Sequence, residues 1–163
     1  MLNPKDITDA VVTTLQAIPD LASAMTVTDA TGNPAVRIYA YHYLFGQEYR
    51  LAEAIQKMPA PSIMAVWEGT LAGNFDGSTL FKHRVALYIR MGNAGGNLDP
   101  VGYEDLWWTI CNAKPTGASQ NIRYLNLLPA LEIMDTPGIT HLTDGEALDI
   151  FRSEFVFPEI GDN

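Results

Sequence analysis

FKHRVALYIRM, residues 81–91, decides how the rest of the chain is read, because it alternates as a strand alternates. His83, Val85, Leu87, Ile89 and Met91 fall on one face, and Lys82, Arg84, Ala86, Tyr88 and Arg90 fall on the other. The first face needs a core to cover it. The second carries three of the chain's ten Lys and Arg residues, so water or a partner must satisfy it.

Upstream, SIMAVWEG at 62–69 is apolar on both faces until Glu68, which suits a central strand covered on each side. The intervening TLAGNFDGSTL holds Gly73 and the Asp76-Gly77 pair and reads as a hairpin connection longer than a two-residue turn, long enough to reach away from the sheet. RIYAYHY at 37–43 sets Tyr39, Tyr41 and Tyr43 against Ile38, Ala40 and His42, another strand pattern. Two further strands are expected, LPALEIM at 128–134 and ALDIFRSEFVF at 147–157, joined through turn signals at Pro137-Gly138 and Asp144-Gly145. Phe151, Phe155 and Phe157 then fall together, and core is the simplest use for them.

Helix signals punctuate these strands. Around NPKDIT, Asn3 caps, Pro4 takes the first helical position, Asp6 faces the dipole, and Leu2 with Ile7 forms a staple. Ile7, Val11, Leu15 and Ile18 make one stripe, ending near Pro19, and residues 26–36 read as a turn around Gly-Asn-Pro. Helix spacing returns over 47–57, with Leu51, Ile55 and Met58 on one side, until Pro-Ala-Pro at 59–61. After GNAGGN, the run Leu98, Asp99, Pro100, Tyr103 starts another helix with Tyr103, Leu106, Trp107 and Ile110 as its apolar face. The sum is a single α+β domain over 1–163, with a mixed, mainly antiparallel sheet of four to five strands, helices packed on one face, and loops or arms near 26–36, 70–80 and 114–126.

The balance of residues supports one globular core: 163 residues, 47% hydrophobic and 18% charged, with no polar low-complexity tract. A net charge of −9 opposes nonspecific binding to nucleic acid or anionic membranes, although an acidic lining also suits a passage that DNA traverses without sticking. Cys111 is the one cysteine, so no internal disulfide forms, and it reads as a small helix residue. MLNPKDITDAVV has charges within its first ten residues, and no segment approaches 18 uncharged apolar residues. Assembly in the cytoplasm is the expectation.

The chemistry-bearing residues do not fall into a known constellation. His42, His83 and His141 are far apart, and no pair has the spacing that puts two metal ligands on one helix face. His83, set among apolar neighbours, reads as a core histidine with a satisfied hydrogen bond. There is no Gly-x-Ser-x-Gly elbow, and Gly92, Gly95 and Gly96 match no phosphate-binding pattern. Asp144, Glu146 and Asp149 lack calcium-loop spacing and read as a solvated acidic turn. No catalytic residue, cofactor or metal is therefore assigned.

The order helix, sheet hairpin, helix, sheet hairpin in a small acidic chain, with PSIMAVWEGT before the first hairpin and TDGEALDIFRSEFVF closing the sequence, resembles the tail terminator (tail-completion) proteins of tailed bacteriophages over roughly residues 1–160. The resemblance implies a virion subunit that forms a closed ring, six copies, on the last tail-tube ring. Such a ring stops tube growth and gives head-completion or neck proteins a docking surface, while DNA passes through its centre. It implies no catalytic residues. On this reading Lys82, Arg84, Tyr88 and Arg90 are the candidate contact with a neighbouring subunit or the tail tube, where Arg and Tyr are common anchors. The same residues also suit an ordinary solvated sheet face. Two alternatives stay open: another head–tail connector of the same particle, and a small acidic enzyme with a pocket of Tyr39, Tyr41, Trp107, Trp108 and the carboxylates of 144–149.

Overall fold

Helix α1 (Pro4–Gln16) begins where its caps place it. The Asn3 side-chain oxygen accepts the Lys5 N–H at 3.0 Å, Pro4 needs no partner for an N–H it lacks, and Asp6 sits at the positive end of the dipole. Ile7, Val11 and Leu15 are buried on one stripe. The stripe continues past Pro19, because that proline opens a second helix, α2 (Pro19–Ala24), whose first position suits its fixed φ. Ile18, Leu21 and Met25 extend the same apolar surface. The computed structural model describes residues 2–43, 46–91, 100–113, 116, 139–142 and 150–161, with the backbone alone for residues 75, 100–104 and 139–142.

The expected turn at 26–36 is the tip of a short hairpin, β1 (Thr26–Thr28) with β2 (Pro34–Val36). Asp29 Oδ1 accepts from the Thr31 and Asn33 N–H groups at 2.8 and 2.9 Å, and Gly32 supplies the left-handed φ of +84°. Next, β3 (Ile38–Tyr41) runs parallel to β4 (Ser62–Phe75), and α3 (Glu48–Gln56) makes the crossover that a parallel pair requires.

The connection expected as a long loop near 70–80 is instead a strand pair. Antiparallel pairing of β4 with β5 (Ser78–Arg90) runs on to Phe75 opposite Ser78, leaving only Asp76 and Gly77 to turn, at φ +48° and +81°. Both left-handed positions match a two-residue turn whose twist fits the flanking strands. Thr70, Leu71, Thr79 and Leu80 favour strand enough to carry Gly73 and Asn74 inside it. Helix α4 (Pro100–Asn112) follows, then β6 (Ile139–Leu142) and β7 (Ile150–Gly161). Residues 139–142, read from sequence as part of a connection, pair with 150–153, as their β-branched Ile139 and Thr140 favour. The strand expected at 128–134 lies outside the described residues. Of the loop at 114–126 Thr116 is described, its N–H donating to the Ala17 carbonyl at 2.6 Å.

The five-stranded sheet has the order β3-β4-β5-β7-β6, parallel only at β3–β4, which is the mixed, mainly antiparallel α+β sheet expected. One face packs Ile63, Ala65, Val85, Leu87, Ile89, Phe155 and Phe157 against α1, α2 and the Leu106, Ile110 and Cys111 side of α4. Helix α3 departs from the expectation of a single covered face. Its Leu51, Ala54 and Ile55, with Met58 after it, pack on Met64, Val66, Ala86, Tyr88 and Ile150 from the opposite side. The reason is topological, since the β3–β4 crossover must leave the sheet on one side and return to it, whatever face the other helices occupy. Among the described residues no helix is long and apolar enough to cross a membrane.

Phe155 is fully enclosed, with the Phe157 ring 6.4 Å away, while Trp108 on α4 is 65% exposed. We expect Phe155→Ala to cost about 3 to 5 kcal/mol in urea-induced unfolding. Trp108→Ala should change stability by no more than about 0.5 kcal/mol.

Candidate functional site

The polar face of β5 that the sequence singled out becomes a chain of charges shared by three strands. In the ladder Tyr88 lies opposite Arg152 and Ala86 opposite Glu154, so these β7 side chains share the face of Arg84 and Tyr88. Glu68 joins from β4 through a bulge between Trp67 and Gly69, where Gly69 takes φ +125°. The Arg84 guanidinium grips Glu154 with two bonds, Nε to Oε1 at 2.9 Å and Nη2 to Oε2 at 2.8 Å. Arg152 Nη2 reaches the same Glu154 Oε2 at 2.7 Å and also bonds Glu68, and Tyr88 Oη donates to Glu68 Oε1 at 2.6 Å. The order Arg84, Glu154, Arg152, Glu68, Tyr88 therefore alternates in sign and ends on a hydroxyl.

These contacts shift the proton affinities of Glu154, Tyr88 and Arg152. The Arg84 hydrogen bond, aided by Arg152 against the opposing effect of burial, holds the Glu154 carboxyl down to about 2. Burial, followed by the bond to Glu68, pushes the Tyr88 phenol up to about 12. Burial works against the Arg152 charge, but its bonds to Glu68 and Glu154 outweigh that and raise its pKa.

Three of the four candidate contact residues thus have partners inside the chain. Arg84 and Tyr88 belong to the network, and the Arg90 guanidinium donates to the Met58 carbonyl beneath α3. Lys82 differs. It lies in a cross-strand row between Leu71 and Pro158 and has no ion pair among the described residues. Glu68, Arg152 and Glu154 were missed by sequence reasoning because they sit on other strands, 70 positions away for Glu154. The readable signal was the alternation of Arg152 and Glu154 along a strand able to pair with β5.

A second polar cluster lies on the opposite face. The bulge advances β4 by one residue, placing Thr70 opposite His83. His83, with no exposed surface, has Nδ1 2.8 Å from Thr70 Oγ1 and Nε2 2.7 Å from Glu159 Oε2, so both ring nitrogens are satisfied, as the core reading expected. The Leu2 N–H donates to both Glu159 oxygens, at 3.0 and 2.9 Å. Burial raises the Glu159 pKa, but the bonds from Leu2 and His83 outweigh it and leave the carboxyl lowered. The hydroxyl, imidazole and carboxylate form one hydrogen-bonded line, with the imidazole fully enclosed and Thr70 half-buried. The cluster clasps the start of α1 to β7.

The pocket considered from sequence does not form as one cavity. Tyr39 and Tyr41 pack beneath α3, Trp107 packs into the opposite core, and Trp108 faces outward, while Asp144, Glu146 and Asp149 lie outside the described residues. Tyr41 instead helps line a cavity of about 260 Å³ with Asn3, Pro4, Lys5, His42, Tyr43 and Trp67. Asp9 holds Lys5 at 2.6 Å and His42 at 3.2 Å beside it. Among the described residues no three His, Cys, Asp or Glu side chains converge as metal ligands would.

No protein-family model matches the chain, and a search of curated proteins found no match.

Two outcomes follow from these clusters. Because the Glu154 pKa falls from 4.5 to about 2 on folding, its carboxylate stabilises the fold fully above pH 4.5 and loses that effect as pH drops toward 2. Glu154→Gln should flatten the acid limb of a plot of melting temperature against pH. Glu159→Leu leaves a buried imidazole and the Leu2 N–H without their acceptor, and we expect a loss of about 1 to 3 kcal/mol in urea unfolding.

Proposed function

We propose that this chain is a structural subunit of a tailed-phage particle. Six copies form a ring at the head-proximal end of the tail, which ends tube growth and offers a docking surface to head-completion proteins while DNA passes through. The observation that carries the reading is that α1, the β4–β5 hairpin, α4 and the β6–β7 hairpin follow one another in that order, with α2, β1, β2, β3 and α3 inserted between α1 and β4. PSIMAVWEGT leads into the first hairpin, and TDGEALDIFRSEFVF runs into β7. Layout and sequence thus agree with the resemblance to tail terminators.

The surface of the sheet supports the same reading. Beyond the part covered by α3, the rows Leu71, Lys82, Pro158 and Gly73, Leu80, Ile160 form one face, with Leu71 58% and Ile160 56% exposed. An apolar face rimmed by a partly exposed network of paired charges has the make-up of a contact surface, with apolar residues at its centre and polar ones at its edge. Within it Arg84, Tyr88 and Arg90 hold the surface in shape, and Lys82 is the cation turned to a neighbour. The role needs no catalytic residue, cofactor or metal, and it places the protein in the virion after assembly in the cytoplasm.

The test is the mass of the purified chain, alone and mixed with tubes assembled from a phage tail-tube protein, with the mixture also viewed by electron microscopy. Rings at tube ends and tubes that no longer lengthen are the expected result. A chain that stays monomeric and ignores tube ends overturns the proposal, as does capture by the portal with no affinity for tubes.

A further inference from the structure

Among the described residues the outer side of β4 is open over a long stretch. Strand β3 pairs with β4 only over residues 63–66, so from Gly69 to Phe75 the outer side of β4 has no strand partner among the described residues. Backbone donors and acceptors along such an edge form a template for one more strand, and proteins usually blunt it with charge, proline or brevity. This stretch, GTLAGNF, has no proline and no charged residue, and past the bulge its register with β5 is regular. Its Leu71 and Ala72 are both exposed. Strand β7 is likewise without a described partner on its outer side beyond Ser153, but that stretch carries Pro158. That stretch of β7 is thus blunted by its proline, and the outer edge of β4 has no such device.

We infer that the outer edge of β4, residues 69–75, is a subunit contact at which a second copy of this chain adds a strand to the sheet. The inference rests on the ring reading for the identity of the partner and adds to it the place where copies meet. Charge favours a second copy. The chain carries −9 overall, so most approaches between copies are repulsive, but the arm from Gly69 to Lys82 holds just Asp76 and Lys82, one of each sign. Lys82 stands in the row immediately behind Leu71 without an ion pair among the described residues, and an acidic neighbour supplies its carboxylate. An added strand also covers Leu71 and continues the apolar rows of Leu80 and Ile160.

Amide hydrogen exchange of the full chain tests this, comparing dilute protein, concentrated protein and protein bound to tube ends. Amides within 69–75 should slow by about tenfold or more on assembly, while those of the Thr26–Val36 hairpin stay unchanged. Leu71→Lys and Ala72→Lys place at the edge the charge it lacks. Each should weaken self-association by about tenfold or more without moving the melting temperature, and Trp108→Lys should leave association unaltered. If the chain assembles with the 69–75 amides exchanging as fast as in the monomer, or if both lysine variants assemble like the parent, the edge inference fails and the ring reading stands. If the edge becomes protected in a species that ignores tubes, the edge inference stands and the ring reading fails. A chain that never associates overturns both.

Discussion

Strand β5 is hydrogen-bonded on both sides over nearly its whole length, to β4 on one edge and to β7 on the other, and the remaining packing is arranged about that fact. Because its side chains alternate, one strand must satisfy two different surroundings at once. Val85, Leu87 and Ile89 meet α1, α2 and α4, and Ala86 and Tyr88 meet α3. A one-residue slip in either pairing exchanges these sets, sending three aliphatic side chains toward the charges and an arginine into the core. The register is therefore held by burial on both faces as well as by the turn at Asp76-Gly77.

The polar network is best understood through what α3 leaves uncovered. The helix is nine residues long and cannot shield the whole sheet, so beyond Tyr88 the face meets water. Partly exposed ion pairs add little net stability, because solvation is given up for each contact made. Their effect here is to neutralise: two arginines and two glutamates cancel, and the tyrosine hydroxyl has an acceptor. The surface so formed has fixed shape and little net charge in a strongly acidic protein, and such a surface can be approached by another copy.

Much of this was legible in the sequence, and the missing parts share a cause. Asn3 and Pro4 fix the start of α1, and the alternation in 81–91 fixes the faces of β5, because both signals are local. The face chosen by α3 is not local. Leu51, Ala54 and Ile55 announce an apolar stripe without saying which side of the sheet receives it, and the parallel pairing of β3 with β4 decides that. The strand character of 70–75 was hidden by Gly73 and Asn74, which are turn formers in isolation but tolerated where β5 supplies a ladder. Arg84 was visible as a candidate contact, whereas its partner Glu154 was not, since only the β5–β7 register brings the two together. Thr70 came opposite His83 through the bulge at Glu68, which sequence spacing cannot show.

The clasp of Leu2 on Glu159 spans 157 positions. Helix α1 therefore reaches its final seat only after β7 has been synthesised and paired with β5. A nascent chain lacking that strand leaves one edge of β5 unpaired, and is prone to capture by chaperones or to clumping. Closures of such long range are slow, so truncations from the C-terminal side that remove Glu159 should yield insoluble product.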